Sequence, residues 1–174
     1  FPHHELVATR LLREPTLLAE IPPHPNLVTV VETIRTPGHF YLVEEYLDGY
    51  VTLESLISTY NQDNPSGPHK LPEDVACKIL AQLVMALHAI HTPLRVCHRD
   101  VKPENVLVHP ETLQLKLLDF GLATHFSRSH AKLTTCCGSP AFHCPEIVAA
   151  LSHPLGTVTY LSLIHISEPT RPLY

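Results

Sequence analysis

The chain has 174 residues and a mass of 19.4 kDa, with 44% hydrophobic and 17% charged residues, enough to bury the core of one ordinary domain. A net charge of −5 and a pI near 6.3 argue against a nucleic-acid partner held by a basic face, and no nucleic acid is expected. No apolar run is expected to reach the roughly 20 residues that cross a bilayer, since Ile79 to Ile90 is cut by Gln82 and His88, so no membrane partner is expected either.

The first stretch, Glu5 to Ile21, carries a helical stripe at Leu11, Leu12, Leu17, Leu18 and Ile21, interrupted at Pro15 and stopped by Pro22-Pro23. Two β-rich runs follow, Leu27 to Ile34 and Phe40 to Tyr46, and the turn residues Thr36-Pro37-Gly38-His39 between them predict a hairpin. Leu53 to Tyr60 reads as a short helix, and Asn61 to His69 as a polar loop. Pro72 to His91 is the longest predicted helix: Pro72 suits the first turn, and Val75, Ile79, Leu80, Leu83, Val84, Leu87 and Ile90 form one broad apolar stripe. Short strands are expected at Val106 to Val108 and Leu115 to Leu118, around a turn at His109 to Thr112. From Ala123 to Pro140 no period is sustained, and there is no internal repeat.

The chemistry concentrates in Cys97-His98-Arg99-Asp100-Val101-Lys102-Pro103-Glu104-Asn105 and Asp119-Phe120-Gly121. Asp100 lies on a loop after the long helix, where a rigid scaffold can aim a carboxylate at a substrate proton. Asn105 and Asp119 supply oxygens from the two ends of the predicted hairpin, and hard oxygen donors suit Mg²⁺. Lys102 adds a cation beside the same point. An acid, two metal-binding oxygens and a cation make a kit for phosphoryl transfer.

These residues resemble the catalytic core of eukaryotic protein kinases, in which His-Arg-Asp is followed by Asn and then Asp-Phe-Gly. The resemblance implies an α+β, two-lobe kinase fold, incomplete here: residues 1–47 as part of the small lobe with the hinge, 48–150 as part of the large lobe, and 151–174 as a non-matching tail. It implies ATP and Mg²⁺ as cofactors and Ser/Thr-bearing proteins as substrates, because a lysine two after the aspartate is the serine/threonine pattern. By resemblance Asp100 is the catalytic base, Asn105 and Asp119 the Mg²⁺ ligands, and Lys102 a γ-phosphate contact. Glu14 would pair with an ATP-contacting lysine, Leu107 would line the nucleotide site, and Leu42 to Leu47 resembles the hinge that bonds adenine. Glu45 to Leu47 is then the hinge proper, and Glu44 falls at a gatekeeper position that is normally apolar.

Downstream, Lys132 to Pro140 resembles an activation segment, and Cys144-Pro145-Glu146 stands where the family has Ala-Pro-Glu. Thr135 matches a position phosphorylated for activation, which implies an upstream activating kinase and a phosphate contact from Arg99. Ser139 would help hold the substrate hydroxyl near Asp100, and Glu146 would have its usual partner further along. A zinc site among His125, His130, Cys136, Cys137, His143 and Cys144 is a rival reading, but the adjacent cysteines lack the usual spacing.

The departures from the pattern are as informative as the matches. There is no glycine before Gly38 and no lysine before Lys70, so the glycine-rich loop and its strand lysine are expected upstream of this chain. The start at Phe1, 17 prolines, no tryptophan and no aspartate after Asp119 fit a middle slice of a kinase domain. Leu161 to Tyr174 resembles translated sequencing-adaptor DNA rather than kinase sequence. Five cysteines without framework spacing, and no basic segment leading into an apolar one, fit an intracellular protein, cytoplasmic or nuclear. A kinase fragment inactive alone is the leading reading; a non-catalytic, pseudokinase-like binding module is the alternative.

Overall fold

The computed structural model describes residues 17–63, 71–126, 132–133, 137–143, 145, 147–148 and 160–161. Residues 17–20 are helical, with Leu17 and Leu18 buried, and Pro22-Pro23 follows the end of that helix because neither imide can continue a helical hydrogen-bond ladder. Strands β1 (Val30–Arg35) and β2 (Phe40–Glu44) pair antiparallel, as their turn chemistry predicts. Thr36 closes that turn: its N–H donates to the His39 carbonyl at 2.9 Å, and its hydroxyl oxygen accepts from the His39 N–H at 3.1 Å.

The hairpin is shorter than the two β-rich runs. Residues 26–28 are claimed by a distant partner: the Leu117 N–H donates to the Asn26 carbonyl at 2.9 Å, and the Val28 N–H donates to the Leu117 carbonyl at 3.1 Å. Leu27 thereby forms a parallel bridge to Leu117. After Glu44 the chain leaves the sheet, and Tyr46 projects into solvent.

Strand β3 (Val51–Thr52) leads into helix α1 (Leu53–Asp63), where the Thr52 hydroxyl accepts from the Ser55 N–H at 3.1 Å and so satisfies one of the helix's unpaired donors. The helix takes in Asn61 to Asp63, which the sequence placed in the following loop. Helix α2 (Glu73–Leu94) begins after Pro72, carries Glu73 and Asp74 in its first turn, and ends at Arg95 in the left-handed conformation (φ 54°).

Helix α2 corrects two expectations. With 22 residues and a mean hydropathy of 1.4 in its most apolar window, it is long and apolar enough to cross a membrane. Its Val75, Ile79, Ala86 and Ile90 are nevertheless buried, and it packs against the strands before and after the predicted loop chemistry. Its stripe is also narrower than predicted, because Leu80 (58% exposed) and Val84 (50% exposed) face outward beside Met85.

Strands β4 (Val96–Cys97), β5 (Val106–Val108) and β6 (Leu115–Leu117) follow α2, and β5 and β6 form the expected hairpin. Strand β3 adds to the β5 edge, and β4 pairs with β7 (Thr124–His125). A last pair joins β8 (Lys132–Leu133) to β9 (Tyr160–Leu161), which brings in the first residue of the predicted foreign tail. The fold is α+β, with one core running from Leu17 and Leu27 through Ile79, Ile90, Val106 and Leu117 to Phe120.

Ile90 is fully buried in that core, whereas Leu80 faces solvent outside it. Ile90→Ala is expected to lower unfolding free energy by about 2–5 kcal/mol in denaturant titrations, against roughly 0.5 kcal/mol or less for Leu80→Ala.

Candidate active site

The site is built around a buried histidine. His98 is fully enclosed, edge-on to the Phe120 ring at 4.9 Å. Its Nε2 lies 2.9 Å from the Leu118 carbonyl, which can only accept, so Nε2 carries the proton. Its Nδ1 accepts the Asp100 N–H at 3.3 Å, so the ring is neutral. Burial pushes its pKa below the usual histidine range, against the opposing pull of the Leu118 bond and of Asp119 and Asp100. One ring thus ties the loop holding Asp100 to the strand end that presents Asp119.

Asp100 itself is buried, and both its oxygens are engaged. Oδ1 accepts from the Ser139 N–H at 2.9 Å and from the Ser139 hydroxyl at 3.0 Å. Oδ2 lies 2.9 Å from the Lys102 ammonium and accepts from Asn105 Nδ2 at 3.1 Å. Burial opposes ionisation, but the hydrogen bonds from Lys102 and Ser139 outweigh it and hold the carboxyl below its ordinary range. Lys102 also donates to Ser139 Oγ at 2.9 Å, and its pKa is raised by the bond to Asp100. A single alcohol oxygen therefore sits between the acid and the cation.

Gly138 makes that approach possible. It has φ +97°, and a Cβ there would lie 2.5 Å from the Arg99 carbonyl, so only glycine brings Ser139 this close. Arg99 is left-handed as well (φ 68°), and its Nε donates to the Leu122 carbonyl at 2.6 Å.

Asn105 and Asp119 stand at the two ends of the β5–β6 hairpin, and the Leu118 N–H donates to the Asn105 carbonyl at 2.9 Å. The Asn105 amide nitrogen bonds both the Asp100 carbonyl and its carboxylate, at 2.9 and 3.1 Å, which turns the amide oxygen to the other side. Asp119 is exposed and left-handed (φ 61°), and its Oδ1 accepts the Gly121 N–H at 3.1 Å. An oriented amide oxygen and an exposed carboxylate fit a hard divalent cation such as Mg²⁺.

The segment expected to form the hinge begins at the end of β2. Glu44 ends β2 opposite Val30, and its carboxyl is pushed up by loss of hydration first, then by repulsion from Asp119 and Glu45. Leu107 is half-buried on β5, on the face opposite Val106 and Val108, and Leu47 is half-buried in the loop that follows Glu45. Glu14, Thr135 and Glu146 lie outside the described residues, as do His130, Cys136 and Cys144. Among the described residues, no three His, Cys, Asp or Glu side chains group to hold a metal.

Sequence reading missed two residues that join distant segments. Gln82 on α2 accepts from Asn26 Nδ2 and from the Leu115 N–H, each at 3.0 Å, and donates to the Leu113 carbonyl at 2.7 Å. Lys116, on the face of β6 opposite Leu115 and Leu117, is buried and reaches Glu45 Oε1 at 2.6 Å. The only local signal for Lys116 is a charge inside an apolar run; its partner is 71 residues away.

Comparison with known proteins decides the family. A model of the protein kinase domain matches residues 3–160. The chain belongs to the protein kinase family. Serine/threonine-protein kinase ppk25 of Schizosaccharomyces pombe is 37% identical over 168 residues, covering 92% of this chain and 37% of that protein. Serine/threonine-protein kinase DCLK1 of Rattus norvegicus is 35% identical over 80% of this chain and 32% of its own length. CBL-interacting serine/threonine-protein kinase 15 of Arabidopsis thaliana is 39% identical over 83% of this chain and 30% of its own. The chain therefore spans about a third of the length of these relatives.

His98 has a folded pKa below its unfolded value of about 6.5, so between those values only the unfolded chain takes up the proton. Its contribution to stability is complete above about pH 6.5 and is lost on acidification, at up to about 1.4 kcal/mol per pH unit. Denaturation midpoints measured from pH 7.5 to 5.5 should fall, and His98→Asn should flatten that part of the slope. Gly138→Ala should strain the left-handed backbone and dislodge Ser139, lowering unfolding free energy by roughly 1–3 kcal/mol in the same assay.

Proposed function

We propose that this domain, within the intact protein, transfers the γ-phosphoryl group of Mg·ATP to serine or threonine hydroxyls of protein substrates. The observation that carries the reading is the Ser139 hydroxyl, 3.0 Å from Asp100 Oδ1 and 2.9 Å from the Lys102 ammonium. An alcohol poised between a general base and a cation is the arrangement that hydroxyl phosphorylation needs. A substrate hydroxyl entering beside Ser139 would attack the γ-phosphorus as its bond to the ADP oxygen breaks, and its proton would pass to Asp100. Lys102 would stay beside the transferred phosphate and offset its charge. Asn105 and Asp119 would hold Mg²⁺, which when bound neutralises charge on the β- and γ-phosphates.

The serine/threonine choice follows from Lys102 and from the names of the relatives, which are serine/threonine kinases. Phosphorylation of Thr135 by an upstream kinase would offer Arg99 a dianionic partner. An intracellular site, cytoplasmic or nuclear, suits both the cysteine usage and ATP as co-substrate. The 174 residues in isolation should transfer no phosphate, since no glycine precedes Gly38 and no lysine precedes Lys70 to grip the nucleotide. A second reading is a non-catalytic binding module. The joint engagement of Asp100, Lys102, Asn105 and Ser139 weighs against it.

The test uses the intact protein with Mg·ATP and a serine peptide. Asp100→Asn should lower kcat by about 10²–10⁴-fold with the KM for ATP little changed. Turnover that survives Asp100→Asn at the wild-type rate would overturn Asp100 as the base, and a wild-type protein that binds ATP without turnover would decide for the binding module.

A further inference from the structure

Among the described residues, Lys116 is a buried charge whose position the catalytic scheme leaves unexplained. It lies three residues before Asp119, on a strand whose Leu115 and Leu117 are fully buried on one face. The opposite face of so short a strand would ordinarily meet solvent, and a lysine there would be exposed. Lys116 is instead 8% exposed. Its ammonium donates to Glu45 Oε1 at 2.6 Å and to the Leu27 carbonyl at 3.2 Å. The same Glu45 oxygen accepts the Thr29 N–H at 2.8 Å, and the Glu45 N–H donates to the Thr29 carbonyl at 2.9 Å. Three segments remote in sequence therefore meet at one charge pair: residues 27–29, the hinge at Glu45, and the strand that runs into Asp119.

Packing alone does not account for this arrangement. Lys116 gives up its hydration to make this pair, while the Glu45 side chain stays 28% exposed, so the pair is no better for stability than well-packed apolar side chains of similar volume. What a short N⁺–H···O⁻ bond adds is direction. Here it fixes the Glu45 carboxylate against Thr29 and so fixes the course of the backbone entering Tyr46 and Leu47. We infer that Lys116 is a positioning residue for nucleotide binding, holding the hinge backbone at a set distance and angle from the strand that presents Asp119. The adenine-facing segment and the metal-facing carboxylate then share one rigid reference. This rests on the kinase reading of the site, and it names a residue outside the reacting groups that governs affinity for ATP.

Steady-state kinetics of the intact protein, with Mg·ATP and a serine peptide varied in turn, test the inference. Lys116→Met should raise the KM for ATP about tenfold, lower kcat less than threefold, and leave the KM for the peptide unchanged. Lys116→Arg should restore the KM for ATP to within threefold of wild type. Glu45→Gln, which keeps the side-chain shape and removes the charge, should reproduce the methionine variant, and the double variant should be no worse than either single one. If Lys116→Met fails to fold, Glu45→Gln decides the same question. A wild-type KM for ATP in these variants overturns the inference and leaves the kinase reading intact. So does an equal loss toward ATP and peptide, which marks general destabilisation. Failure of the wild-type protein to bind ATP overturns the kinase reading, and this role with it.

Discussion

Placing an ionised carboxylate under cover is the constraint around which this structure is arranged. Asp100 is largely removed from solvent, and an unpaired carboxylate there would be driven to take up a proton. Four donors prevent that, from three sources: the Ser139 amide and hydroxyl, the Lys102 ammonium and the Asn105 amide. Each source commits a piece of chain. Ser139 requires the left-handed Gly138, Asn105 requires the turn that opens β5, and Lys102 extends from the loop in between. The loop is therefore held by the electrostatic demand of one side chain, where it has almost no regular secondary structure of its own.

His98 extends the same logic inward. Its ring has two hydrogen-bonding positions, one spent on the Asp100 amide and one on the Leu118 carbonyl. A neutral imidazole in one tautomer satisfies both, and a charged one would turn an acceptor into a donor facing an N–H. The loop and the strand end thus keep their spacing only while that ring stays uncharged. Phe120, packed edge-on against it, supplies the apolar cover that keeps it so.

Much of this was legible in the residues. His98-Arg99-Asp100, Asn105 and Asp119-Phe120-Gly121 pointed to the acid, the amide and the second carboxylate, and the structure brings Asp100 and Asn105 into direct contact. Helix α2 and the β5–β6 hairpin were readable because their patterns are local: a 3.6-residue stripe and two short apolar runs around a turn. The start of the first hairpin was not, because residues 26–28 look like strand and are strand-like, but pair with Leu117 rather than with β2. Leu80 and Val84 were misjudged for a related reason: periodicity shows that a face is apolar, not that something covers it. Lys116 escaped altogether. A lysine amid leucines carries no local hint of a glutamate 71 residues earlier.

The Asn26–Leu117–Val28 backbone bonds have a mechanical consequence. They stitch a segment that precedes the hinge onto a strand that follows it, with donor and acceptor both drawn from Leu117. Main-chain bonds of this kind cannot slide by one residue without turning Leu27 out of the core and its neighbours in. Residues 26–28 consequently travel with the β5–β6 hairpin as one body. Any rocking of the β1–β2 hairpin against that body must pivot beyond the seam and beyond the Thr29–Glu45–Lys116 contacts, where the chain enters β1 and leaves β2.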